Sequence, residues 1–191
     1  NGKYVFAQIV SFIPARVFDR CVAKHNGNKW IKHFSCWNQM MCMMFGQLSG
    51  RESLRDLLIT IGAHSCKFYH LGFGKNVSRS NLASANELRN CKIYEAFAFE
   101  MIALAKRGMI GNEFSLTIPG NVYAFDSTTI DLCLTLFPWA KFRRRKAAVK
   151  LHTLIDLRGN IPCFVLISIG KLHYVKALDH MTVDASACYV M

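Results

Sequence analysis

The carboxylate of Asp126 stands between an apolar run that ends at Phe125 and three consecutive hydroxyl residues at 127–129. A carboxylate at the end of a strand, followed by small hydroxyl side chains, offers the oxygen donors that hold a hard cation such as Mg²⁺. Such a cation needs at least one further carboxylate, and Asp131 is too near in sequence to be a safe partner. The alternative, in which Asp126 caps a turn, stays open on the residues alone.

A dense run of basic side chains follows shortly afterwards. Six of the ten residues from 141 to 150 are basic, namely Lys141, Arg143, Arg144, Arg145, Lys146 and Lys150. No acid lies between Asp131 and Asp156, so the run repels itself unless an anionic partner such as phosphate neutralises it. Trp139 and Phe142 lie beside the run, where they could stack on an unpaired base. The pattern predicts contact with nucleic acid, against the alternative of a solvated loop.

A third candidate is the start of a predicted helix, where Ser78, Arg79, Ser80 and Asn81 follow one another. The N-terminal residues of a recognition helix contact bases and phosphates in helix-turn-helix proteins. A helix predicted at 52–61 and a glycine-bearing loop precede it, which suits such an element. The loop is long for a tight motif, so a plain surface helix is the alternative.

Lys150 and His152 are predicted to share one face of a strand, because residues two apart on a strand point the same way. We therefore predict that both hold DNA near Asp126, although a single histidine in a strand is usually structural. The seven histidines are otherwise scattered, and the sequence has no serine–histidine–aspartate spacing of a hydrolase.

The elements that must position these residues are helices in the first part of the chain and strands after 111–120. The predicted helices are 4–13, 15–24, 33–48, 52–61, 78–90 and 93–107, with a further helical stretch at 171–180. The predicted strands are 121–125, 149–156, 161–169 and 188–191, together with a short strand or extended run at 130–136. Glycines at 62, 72 and 74 indicate a loop between the fourth and fifth helices. The fold class is therefore predicted to be α+β.

Composition narrows the classes of partner. The chain has 191 residues, 24 of them basic and 12 acidic, and a net charge of +12, while 52% of its residues are hydrophobic. This balance supports a buried core and favours nucleic acid as the partner. No apolar run reaches the roughly 20 residues that span a bilayer. The eight cysteines contain no Cys-x-x-Cys pair, which favours reduced, mostly buried thiols.

Taken together, several segments make the chain resemble transposases of the insertion-sequence-four (IS-four) family. Among the similar stretches are Tyr-Ala-Phe-Asp-Ser-Thr-Thr-Ile at 123–130 and Lys-Leu-His-Thr at 150–153. The others are 4–10, 14–19, 36–39, 47–49, 51–56, 69–74 and 78–82. The similarity covers nearly the whole chain, and the order and spacing of the segments carry it rather than any one motif.

The resemblance implies three segments: an N-terminal helical domain at 1–75, a helical DNA-binding or linker region at 76–117, and the first part of an RNase H-like α/β domain at 118–191. In such a domain two aspartates and a glutamate hold Mg²⁺ (or Mn²⁺). Asp126 matches the first acid, as both catalytic residue and metal ligand. The second acid is expected just past 188–191 and the third much farther on, so the given sequence would lack both.

The function that the resemblance implies is cutting and joining of DNA at transposon ends by two-metal phosphoryl transfer. The chain alone is expected to be an inactive fragment of a bacterial cytoplasmic enzyme, with double-stranded DNA as partner, no membrane, and a homo-oligomer as a further possibility. The alternative is a non-catalytic DNA-binding remnant, or an inhibitor of the intact transposase. A structural helical protein unrelated to DNA would leave the basic run unexplained.

Overall fold

The chain folds into two compact units, Asn1–Glu100 and Met101–Met191. The structure, a computed structural model, describes residues 4–71, 73, 77–108, 120–132, 138–143, 146–181 and 183–191. In the described part of the first unit all regular elements are helices, and a mixed sheet dominates the second unit. The predicted α+β fold class is therefore confirmed.

The first unit is built from helices, and three of them begin next to a serine whose side chain caps the first turn. Its elements are α1 (Val5–Ser11), α2 (Ala15–Lys24), α3 (Cys36–Leu48), α4 (Leu54–Ala63), α5 (Ser65–Tyr69), α6 (Arg79–Leu88) and α7 (Lys92–Gly108), the last of which continues past Glu100. Ser35, Ser53 and Ser78 each accept a hydrogen bond, at 3.1–3.2 Å, from the backbone N–H three residues later. Such caps satisfy one of the otherwise unpaired N–H groups of a first helical turn.

Aromatic side chains form two centres in the core of this unit. The fully buried ring of Phe18 lies among Trp37, Tyr94 and Phe97, with centroid distances of 5.7, 6.2 and 5.1 Å. A second group surrounds Phe68, and its other rings are those of Phe6, Phe45 and Phe73. Edge-to-face contacts of this kind add to the stabilisation that comes from burying the rings.

The second unit contains a mixed sheet. Its strands are β1 (Val122–Leu132), β2 (Lys141–Arg143), β3 (Lys146–Asp156), β4 (Ile161–Ile169) and β5 (Cys188–Val190), and a short helix α8 (Tyr174–Leu178) lies between β4 and β5. β3 is antiparallel to β1, to β4 and to the short β2. β5 lies on the other edge of β1 and runs parallel to it.

One face of the sheet carries the core of the second unit. Phe125 on β1 and Leu154 on β3 are directly opposite each other and pack with Ala177 of α8. Because successive residues of a strand point to opposite faces, Asp126 and its cross-strand partner Thr153 belong to the other face. On that second face Ile130, Ile167 and Ile169 are exposed.

The structure corrects the predicted end of the strand that carries Asp126. β1 does not stop at Phe125 but continues to Leu132, so Asp126 lies within the strand and the stretch 130–132 is its continuation rather than a separate element. The β-branched residues 128–130 favour extended backbone, and β3 is long enough to pair with all of them. Residues 133–137 of the predicted run lie outside the described residues.

Three other elements differ from the predictions. The stretch predicted as a loop after Gly62 contains the short helix α5, whose Phe68 is buried. The strand predicted at 149–156 begins earlier, at Lys146, because β2 pairs with its first residues. The helical stretch predicted at 171–180 is confined to Tyr174–Leu178, and the glycines at 72 and 74 lie outside the described residues.

Candidate nucleic-acid interface and metal-ligating carboxylate

Asp126 lies exposed on the central strand β1, on the face away from the core. Its neighbours on that face are Thr128, two residues along the strand, and Thr153, directly across on β3. These side chains present one carboxylate and two hydroxyl groups, all oxygen donors of the kind that Mg²⁺ prefers. On the other edge of β1, Val190 of β5 pairs with Ala124. Because β5 runs parallel to β1, its carboxyl end lies two residues before the position beside Asp126.

Asp131 cannot join Asp126 on one face of the sheet. The two residues are five positions apart on the same strand, so the alternation of a strand sends their side chains to opposite faces. Within the described ranges, no group of three or more histidine, cysteine, aspartate or glutamate side chains is arranged to hold a metal ion. Asp126 therefore belongs to no such group within the described ranges.

The described part of the basic run is a short hairpin with exposed cations on both arms. Lys141, Arg143 and Lys146 are all exposed, and Arg143 stands directly opposite Lys146 in the β2–β3 ladder. Like charges directly opposite each other on paired strands are destabilising. The guanidinium of Arg143 lies 5.2 Å from the ring centroid of Phe142. The predicted contacts Arg144 and Arg145 lie outside the described residues.

No acid neutralises this hairpin within the described part of the chain. The ion pairs found there, Arg51–Asp56 at 3.5 Å and Lys92–Glu95 at 2.7 Å, both belong to the first unit. The hairpin cations therefore lie at the surface without an ion-pair partner among the described residues. Such a cluster has the electrostatic character of a phosphate-binding surface.

Lys150 and His152 share a face, as the strand pattern predicts, but it is the face opposite to Asp126. His152 is fully buried, its Nε2 lies 2.8 Å from the Oγ of Ser168, and its ring stacks on Phe125 at 6.2 Å. The Lys150 ammonium donates to the carbonyl of Leu172 at 3.0 Å. The structure thus places His152 in the interior of the unit, and the assignment of both residues as DNA contacts stays a prediction.

Burial decides the charge state of His152. Loss of water around the ring lowers the pKa of His152 below its usual value, and the nearby ammonium of Lys150 lowers it further. The imidazole is therefore neutral around pH 7, and one ring nitrogen is paired with Ser168. Among the described residues, its buried Nδ1 has no hydrogen-bond partner.

The four predicted contacts at the start of α6 are all exposed. Ser78 is the N-cap and its Oγ lies 3.2 Å from that of Ser80, while Arg79, Ser80 and Asn81 form the first turn. Leu82 and Ala85 fix the opposite side of the helix in the core. The helix therefore presents these polar side chains to solvent, and their contact with DNA stays a prediction.

A groove beside α6 contains candidate residues that the sequence argument missed. It has a volume of about 360 Å³, and its lining includes Trp30, Lys32, His33, Asn81, Ser84 and Leu88. Trp30 lies in a polar segment, Asn-Gly-Asn-Lys-Trp at 26–30, and an isolated aromatic residue in such a segment was the available signal. This loop and α6 lie about fifty residues apart in the sequence, so local sequence patterns cannot predict that they are in contact.

Comparison with known protein families accounts for the first part of the chain. Residues 1–74 match a family described as "Domain of unknown function (DUF4372)", a domain found in transposase-like proteins. Comparisons with curated proteins and with solved structures give no match. In the described residues, no helix combines the length and apolar character needed to cross a membrane.

Proposed function

We propose that the chain is part of a DNA transposase of the IS-four family, with an N-terminal helical region that binds transposon ends and the beginning of an RNase H-like catalytic domain. The observation that carries the proposal is the position of Asp126 on a central strand with an antiparallel neighbour on one side and a parallel neighbour on the other. The match of residues 1–74 to a domain found in transposase-like proteins supports it independently.

The order of the strands supports the RNase H-like assignment. Across the sheet the strands lie in the order β4, β3, β1, β5. β3 is antiparallel to both of its neighbours, β4 and β1, whereas β5 is parallel to β1. The last residue of β5, Val190, pairs with Ala124 of β1, so a residue following β5 would approach Asp126. This is where the second acid of the proposed enzyme would lie, as the family resemblance leads us to expect.

The oxygen donors around Asp126 fit a divalent metal. Asp126 would ligate Mg²⁺ or Mn²⁺ directly, with the hydroxyls of Thr128 and Thr153 beside it as further donors or as partners for bound water. When bound, a pair of such ions activates the attacking oxygen and stabilises the leaving oxygen of a phosphoryl transfer. The contribution of this chain is to hold one carboxylate at a fixed place in the sheet.

Exposed basic and polar side chains would form the DNA-binding sites of the proposed enzyme. Lys141, Arg143 and Lys146 project from the hairpin of the second unit, and Arg79 and Asn81 from the first turn of α6 in the first unit. We propose that the hairpin contacts phosphates without regard to sequence and that α6 contributes to recognition of transposon ends. Phosphate contacts fix register, whereas base contacts specify sequence.

The DNA-binding part of the proposal is tested with the purified chain and a labelled duplex of the element's terminal repeat. We expect tighter binding to this duplex than to a scrambled duplex, with an affinity that falls steeply as salt rises. Equal binding to both duplexes would refute end recognition. No binding at low salt would refute the DNA partner altogether.

The metal-binding part is tested by calorimetric titration with Mn²⁺. We expect Asp126→Asn to reduce binding of Mn²⁺ and Asp131→Asn to leave it unchanged. The second variant is a matched control because it removes an exposed carboxylate from the same strand on the opposite face. Equal effects of both substitutions would argue against a metal site at Asp126.

A further inference from the structure

The side chain of Trp30 is almost completely exposed although it is the largest apolar side chain in its loop. Its relative exposure is 89%, and its backbone has φ +64°. A bulky residue in the left-handed region is strained, and such strain costs on the order of 1–3 kcal/mol and is found most often at functional sites. Because its side chain is exposed, Trp30 does not contribute to the core of the first unit, and the core therefore gives no reason for its strained backbone.

The loop that carries Trp30 is held rigidly from both ends. Before the tryptophan, the Asn28 Oδ1 accepts from the backbone N–H of Cys36 at 2.8 Å. Gly27 packs so tightly that a Cβ would meet the side chains of Ile93 and Cys36. These contacts attach the first half of the loop to α3 and α7.

After the tryptophan, Arg89 at the end of α6 ties down the second half of the loop. Its guanidinium donates to the carbonyls of Phe34 and Ser35 and to Oε1 of Gln39, the last at 2.9 Å. The same Gln39 oxygen accepts from the Tyr94 hydroxyl at 2.6 Å. Trp30 is therefore presented by a preorganised loop, which lowers the entropy lost when a ligand binds.

The groove beneath Trp30 has the chemistry of a nucleobase site. None of the ten lining residues is acidic, and Lys32, His33 and Arg89 line it together with the amide of Asn81 and the hydroxyl of Ser84. Its volume of about 360 Å³ falls within the range of about 300–1,000 Å³ that small-ligand clefts occupy. An aromatic face stacks on any base, an amide pairs with base edges, and ammonium groups neutralise the adjoining phosphates.

We infer that the groove between the loop at 29–34 and α6, here called the Trp30 groove, binds an unpaired nucleobase of DNA. The base would stack on Trp30, with Asn81 at its edge and Lys32 near the flanking phosphates. The ammonium of Lys29, which lies 5.7 Å from the Trp30 ring centroid, would move off the ring as the base stacks. The inference takes its ligand class from the proposed DNA partner and is independent of the metal chemistry at Asp126. It predicts that this unit binds a single-stranded extension of a duplex more tightly than a blunt end.

The experiment compares two labelled probes, a blunt duplex and the same duplex with a short single-stranded extension that contains a fluorescent purine analogue. We expect Trp30→Ala to weaken binding to the extended probe by about 5- to 150-fold, to abolish quenching of the analogue, and to leave blunt-duplex binding unchanged. Trp30→Phe should restore most of the binding, because a ring remains. Phe12→Ala is the matched control, since it removes another exposed aromatic side chain (81% exposed) from the same unit.

Unchanged binding and quenching in Trp30→Ala would overturn the inference. So would equal losses on both probes, dependence on Trp139 in place of Trp30, or a change of oligomeric state without loss of single-strand binding. If the blunt terminal-repeat duplex still binds in these cases, the proposed function stands and only the Trp30 groove is refuted. Trp30-dependent binding to the extension without any preference for terminal repeats would instead refute end recognition and support the groove.

Discussion

Removing two cations from the basic hairpin should change how DNA binding responds to salt. Lys141 and Lys146 are exposed on paired strands, and no described acid forms an ion pair with either. If each ammonium neutralises one phosphate, each releases counterions on binding. The double substitution Lys141→Ala/Lys146→Ala therefore removes two such contacts while leaving the buried side chains of the sheet in place.

The expected size follows from the number of charges. Each phosphate contact contributes about −0.9 to the slope of log affinity against log salt concentration, so the loss of two contacts makes the slope shallower by about 1.8. Between 50 and 200 mM salt, the affinity of the unmodified chain should then fall about 12-fold more than that of the variant, by the same relation.

The assay is fluorescence anisotropy with a labelled duplex over a series of salt concentrations. The matched control is Lys171→Ala/Lys176→Ala, which removes two exposed lysines from the same unit but outside the hairpin. Its slope should remain close to that of the unmodified chain. Thermal unfolding of both variants checks that the sheet is intact.

Two results would refute the reasoning. An unchanged slope in the hairpin variant would mean that Lys141 and Lys146 contact no phosphates. Equal decreases in both variants would mean that binding senses only the net charge of the unit, so the hairpin would have no special role.

Two further predictions concern buried groups. Because the pKa of His152 is lowered in the folded state by burial and by Lys150, the unfolded chain binds more protons there. The contribution of His152 to stability is complete above the unfolded pKa, about 6.5, and is lost as the pH drops through the folded pKa. Urea unfolding at about pH 7.5 and about pH 5.5 should therefore show a smaller loss of unfolding free energy in His152→Gln than in His180→Gln, the control variant, which lacks an exposed ring. Burial raises the pKa of Cys42 to about 12, so a thiol reagent should modify the exposed Cys66 and Cys91 in the native chain and Cys42 only after unfolding, and rapid native labelling of Cys42 would contradict its burial.

The sequence predicted the division into a helical part and a strand-rich part, because hydrophobic periodicity is a local signal. The caps at Ser35, Ser53 and Ser78 stand where the helices begin. It did not predict that β1 continues past Asp126, because a single carboxylate amid hydroxyl residues is typical of a strand end. Pairing with the long β3 keeps that backbone extended, and this pairing partner lies about thirty residues away.

Of the candidate site, the sequence alone determined which residues bear charge: a carboxylate at 126, a cluster of cations with no acid nearby, and polar residues at the start of α6. The tertiary structure decided which way they face. Pairing of β1 with β3 puts Asp126 on the open face and His152 inside the core, and long-range hydrogen bonds from Arg89 fix the end of the loop that carries Trp30. The physical reason is that charge belongs to a single residue, whereas burial depends on contacts between segments far apart in the chain.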